Sequence, residues 1–78
     1  MQTVLPLSKV SAKSHYRILN LNGESDSVIR LQELGFMPGI FVEFVGKMTF
    51  GGPLVFRLHG TKIALRADDA ESILVSPN

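Results

Sequence analysis

Apolar residues recur along this chain in two rhythms, and the switches between them outline a fold. Tyr16 and Ile18 alternate with Arg17 and Leu19 up to the turn dipeptide Asn22-Gly23, which reads as a first strand. Ser25, Asp26 and Ser27 then offer side chains that cap a helix N-terminus, and Val28, Leu31 and Leu34 follow at every third position. That spacing predicts one helix of two to three turns with all three residues on its buried face. In Leu34-Gly35-Phe36-Met37-Pro38-Gly39 the helix stops, because Gly35 can take a left-handed conformation and Pro38 cannot continue a helix.

Beyond this turn the period is two. Val42 and Phe44 face one way and Phe41, Glu43 and Val45 the other, until Gly46 interrupts. Phe50-Gly51-Gly52-Pro53 is a hairpin-type connection, with two glycines able to supply positive φ. Leu54, Phe56 and Leu58 alternate with Val55, Arg57 and His59, which places His59 outward on a half-buried strand before the tight turn at Gly60. Thr61, Ile63 and Leu65 alternate with Lys62, Ala64 and Arg66 in a fourth strand. Ala67-Asp68-Asp69-Ala70 reads as one helical turn, and Ile73 and Val75 belong to a fifth strand. Ahead of all this, Val4, Leu5 and Leu7 cluster around Pro6 in an N-terminal arm, residues 1–13, expected as an ordered arm or one helical turn; the domain proper is expected over 14–78. Five short strands with one inserted helix predict a mainly β, strongly curved antiparallel barrel whose closure hides the sheet edges.

Composition narrows the function. At 78 residues the chain makes one domain near the lower limit for a self-supporting core, and without cysteine it gains nothing from disulfides. It is 45% hydrophobic and 19% charged, the make-up of a compact globule. A net charge of +1 offers little counterion-release energy, so no nucleic-acid partner is expected. The longest apolar stretch, residues 36–42, falls far short of the ~20 residues that span a bilayer. No secretory signal is read at the N-terminus, which makes the cytoplasm the expected location.

No catalytic arrangement of Cys/His or Ser/His/Asp, and no phosphate loop, is apparent, so no enzyme and no cofactor are expected. Asp68-Asp69 is the adjacent acidic pair, but successive residues point apart and suit a solvated turn better than shared acid–base work. Gly51-Gly52 lacks the Lys-Ser/Thr and the following helix of a phosphate loop. The metal-ligand types His15, His59, Glu24, Asp26, Glu33, Glu43, Asp68, Asp69 and Glu71 form no motif, and no metal ligand is assigned. Lys47, Arg57, Lys62 and Arg66 could share one barrel face, which is the basis of an alternative reading as an RNA- or DNA-binding barrel.

The apolar residues of the loops are more informative. A barrel this size has room inside for about a dozen to fifteen large side chains, and Val28, Leu31, Leu34, Val42, Phe44, Leu54, Phe56, Leu58, Ile63, Leu65, Ile73 and Val75 fill most of it. Phe36 and Met37 at the helix-to-strand turn, and Met48 and Phe50 beside the hairpin, are the surplus, and a surface patch of such residues marks a partner site. Phe36 and Met37 divide evenly between core and interface, whereas Met48 and Phe50 favour interface. Methionine suits it because its flexible thioether repacks easily.

The order of these pieces resembles the FeoA family, small cytosolic partners of the bacterial ferrous-iron transporter FeoB. The resemblance lies in Arg30-Leu31, Leu34-Gly35, Phe36-Met37 and Pro38-Gly39, then Gly51-Gly52-Pro53-Leu54, then Gly60, Ile63-Ala64-Leu65-Arg66 and Ala70, and covers residues 14–75. It implies an SH3-like barrel that binds the cytosolic part of a FeoB-type transporter without catalysis of its own, and that meets the membrane only through that partner. A similar module ends metal-dependent repressors of the diphtheria-toxin-repressor type. A free-standing sensor or scaffold barrel responsive to divalent metal is therefore the other alternative, and self-association through the same apolar patch is left open.

Overall fold

The computed structural model describes residues 3–23, 26–48 and 51–77. In chain order these form strand β1 (Leu5–Pro6), a 3-10 turn (Leu7–Lys9), β2 (His15–Leu21), helix α1 (Asp26–Leu34), β3 (Phe41–Lys47), β4 (Leu54–Leu58), β5 (Thr61–Leu65), helix α2 (Ala67–Glu71) and β6 (Ile73–Pro77). All pairings are antiparallel, in the order β1-β6-β2-β3-β4-β5.

Five of these strands lie where alternation predicts them, and β1 is the addition. Leu5 and Pro6 pair with Val75 and Leu74, and Leu7 and Val10 are buried in the common core. The expected arm is thus ordered, as an edge strand and a 3-10 turn. Ser8 Oγ further binds a Glu71 carboxylate oxygen and ties this turn to α2.

The sheet curls but does not close. Register shifts opposite β6 between Ile18 and Asn20, and opposite β4 between Phe44 and Gly46, so each bent strand carries one extra residue. The ladder still ends at β1 on one side and β5 on the other, which corrects the expected closure: the fold is barrel-like, with two edges. The core lies inside the curl and includes Ile18, Val42, Phe44, Phe56, Ile73 and Val75, with the Phe44 and Phe56 rings tilted at 5.5 Å between centroids. Tyr16 is buried with them, and its hydroxyl donates to the Ala12 carbonyl at 2.8 Å.

The C-terminal end of α1 differs from expectation at two residues. Leu34 is 47% exposed, not core. A helix turns ~100° per residue, so a repeat of three slips ~60° at each step and carries Leu34 some ~120° round from Val28. Phe36 is the converse: a residue assigned in part to partner binding is 0% exposed. The Gly35 N–H donates to the Gln32 carbonyl and the Phe36 N–H to the Leu31 carbonyl, each at 3.0 Å, which is the paired bonding of a Schellman cap. That cap folds Phe36 back toward Leu31, and both belong to the core cluster.

The next turn is built by Pro38 and Gly39. The Ile40 N–H donates to the Met37 carbonyl at 3.2 Å, with Gly39 at φ +91°, as a type II turn requires. Gly39 N–H and Ile40 C=O both bond Ile18, at 2.8 Å each, locking the turn onto β2.

Candidate functional site

The outer face of β3, β4 and β5 carries the groups that the core does not use. Because Leu54, Phe56 and Leu58 point inward, Val55 and Arg57 point out, and the register sets each beside a defined neighbour. Arg57 lies opposite Lys62 on one side and Glu43 on the other, and Glu43 lies opposite His15. One polar row, Lys62-Arg57-Glu43-His15, therefore crosses four strands. Arg57 Nη1 donates to Glu43 Oε1 at 3.1 Å, and His15 Nε2 stands 4.0 Å from the same oxygen. Both partners of the Arg57–Glu43 pair are part-exposed, so screening leaves it worth little; Glu43→Gln is expected to cost about 0.5 kcal/mol or less by urea denaturation.

Beside that row runs an apolar one. Val55 lies opposite Ala64 and next to the Val45-Gly46 bulge, and these residues with Ile63 and Met48 line a groove of about 450 Å³ bordered by Lys47 and Lys62. Among the described residues, its lining includes those two lysines and no carboxylate. Met48 is 63% exposed. The sequence signal for this groove was present in the outward phase of β4, where Val55 is an apolar residue on the face that Arg57 marks as solvent-facing.

The four predicted interface residues do not form one patch. Phe36 is core. Met37, 53% exposed, sits in the turn before β3, and Met48 follows the other end of that strand, about 20 Å of extended chain away. Phe50 lies outside the described residues. The predicted basic cluster also divides. Lys47 and Lys62 border the groove and Arg57 is occupied by Glu43. Arg66 lines a separate depression of about 290 Å³ with Gly51, Gly52, Pro53, Ala67 and Asp68.

His59 is not a strand residue. It adopts φ +52° beside Gly60 at +80° in the two-residue turn between β4 and β5. Asp69 Oδ2 accepts from Arg30 Nη2 at 3.4 Å, joining α2 to α1, while Asp68 is exposed. Among the described residues no group of three His, Cys, Asp or Glu side chains is placed to hold a metal ion; Glu24 lies outside them. No described helix is long and apolar enough to cross a membrane.

A family model described as the FeoA domain matches residues 5–77. Among solved structures, the FeoA-like protein of Clostridium acetobutylicum is similar at 28% identity and TM-score 0.89, over 99% of this chain and 90% of that one. Iron(II) transport protein A of Clostridium thermocellum is 29% identical at TM-score 0.86, over 94% of this chain and 45% of its own. ScaR solved with bound Zn2+ shares the fold at 22% identity and TM-score 0.86, over 99% of this chain but only 38% of that one. Comparison with curated proteins gives no match.

Proposed function

This chain belongs to the FeoA domain family, and from that membership we propose that it is a small non-enzymatic accessory of ferrous-iron uptake, docking on the cytosolic part of a FeoB-type transporter at the cytoplasmic face of the membrane. The observation that carries this reading is the family match across residues 5–77, nearly the whole chain. The outer face of β3 to β5 supplies the physical means. A few apolar groups around Met48, with a polar rim in Lys47 and Lys62, suit a modest contact dominated by a small hot spot. Met37, at the other end of β3, is a second exposed apolar point of the same kind.

Pulldown on the cytosolic part of the transporter tests this. Met48→Asp is expected to weaken retention about tenfold or more, because it places a charge in an apolar contact. Its thermal midpoint should stay close to the parent's, since the side chain is mostly outside the core. Undiminished retention of both Met48→Asp and Met37→Asp, each still folded, would remove both residues from the interface.

A further inference from the structure

The groove borders a free strand edge, and the hairpin geometry says which groups that edge offers. His59 and Gly60 both have positive φ, the requirement of a type I′ two-residue turn, so Leu58 and Thr61 form the closing pair that exchanges both hydrogen bonds. Alternation then makes Phe56–Ile63 and Leu54–Leu65 hydrogen-bonded pairs, and Arg57–Lys62 and Val55–Ala64 non-hydrogen-bonded ones. The N–H and C=O groups of Lys62 and Ala64 therefore point away from β4. β5 is the last strand of the sheet, and among the described residues its backbone makes no hydrogen bond outside the β4 ladder. Lys62 and Ala64 are exposed, and they are the two β5 residues whose side chains stand on the outer face beside Val55 and Arg57.

The other end of the sheet is protected differently. β1 has two residues, one of them Pro6, and proline blunts an edge. β5 has five residues and no proline. What guards β5 is Lys62. Two copies pairing through this edge would bring their Lys62 side chains onto one small interface, an arrangement that like charge opposes. The same lysine, with Lys47 across a groove that has no carboxylate among its described lining residues, favours a strand carrying the opposite charge.

We propose that β5 accepts an extended acidic segment of a partner protein as an added strand, with its backbone on Lys62 and Ala64, its carboxylates toward Lys62 and Lys47, and an aliphatic side chain in the groove over Val55. This names the kind of segment that the docking surface takes, and so rests on the docking reading above. Strand addition supplies affinity through the main chain and selects side chains at alternate positions.

The probe is an end-blocked nine-residue peptide with threonine at every second position and glutamate and valine taking turns between them, so that both kinds of side chain face the groove together; its counterpart carries lysine for glutamate, and each is added to the 15N-labelled full chain. Saturation with the acidic peptide should slow amide exchange at Lys62 and Ala64 about tenfold or more, while Ile63, bonded to β4, changes little. Ala64→Pro, which removes an N–H from the outer edge and not from the ladder, should weaken peptide binding about tenfold, as should Lys47→Glu with Lys62→Glu. Unchanged exchange at about 1 mM peptide, or equal binding of the lysine peptide, overturns the proposal. Concentration-dependent protection without peptide assigns the edge to a second copy and overturns it too. Should Ala64→Pro unfold the chain, the exchange pattern and the charge reversal still decide. Peptide protection of Lys62 and Ala64, with transporter retention indifferent to Met48→Asp and Ala64→Pro, keeps the edge and discards the transporter. Retention lost in Met48→Asp, without any peptide protection, does the reverse.

Discussion

Phe36→Ala is expected to lower the unfolding free energy by about 3–5 kcal/mol, the cost of deleting a fully buried aromatic ring and leaving a cavity. At about 0.05–0.15 kcal/mol per residue, a chain of 78 residues has only about 4–12 kcal/mol in total, so this single change removes a large share of it. For a domain of this size each kcal/mol is about 4–8 °C in midpoint, which places the variant on the order of 15–30 °C below the parent. Met37→Ala is the internal comparison. That side chain is half-exposed, and its loss should stay within about 0.5 kcal/mol. Urea denaturation of both variants separates two neighbours that hydropathy treats alike. A loss below about 1 kcal/mol for Phe36→Ala would contradict its place in the core.

Why those neighbours part company shows what could be read in advance. The Leu31-to-Phe36 segment contains the signature of the Schellman cap: a glycine at the position after the helix, and an apolar residue following it that contacts the third helical residue from the end. Gly35 was legible as a helix stop. That the stop turns the next side chain inward follows only once Gly35 and Phe36 both donate back to the last helical turn. The misplacement of Leu34 has a different origin: a strict repeat of three does not stay on one face but drifts round a 3.6-residue helix.

The strands were legible wherever period-two alternation ran for five residues or more, as in β4, whose buried and outward positions fall as predicted. β1 was not, because two residues that include a proline carry no period; pairing with Val75 and Leu74 makes them a strand. The groove was half legible. Alternation puts Val55 and Ala64 in the outward phase, but their adjacency, and the free edge beside them, depend on register, and the His59-Gly60 turn fixes that register. The sequence reads the loop methionines as surplus to the core. Their separation by the length of β3 needed the strand's observed span, because sequence distance alone does not distinguish a folded-back loop from an extended one.

Gly35→Ala is expected to cost about 2–3 kcal/mol, and Gly39→Ala about 1–2 kcal/mol. Both positions hold positive φ, at +111° and +91°, where a Cβ strains the backbone. They differ in what that Cβ would meet. At Gly39 nothing lies within 4 Å, so strain acts alone. At Gly35 the Cβ would stand 3.3 Å from Leu58 Cδ2, so either that side chain or the end of α1 must also give by a few tenths of an ångström, while His59 Cδ2 at 3.6 Å is in ordinary contact. Leu58 is buried and can yield little, which is why the larger loss belongs there. Chemical denaturation of the two variants isolates the contact as the difference between them. Equal losses would mean that the helix end only abuts the hairpin, and a neutral Gly35→Ala would mean that the cap forms without positive φ. The consequence reaches the outer face, because the His59-Gly60 turn sets which β5 amides point to the edge. A displaced turn should raise exchange at Ile63, the amide that the β4 ladder protects, before it alters Lys62 or Ala64, which the ladder leaves free.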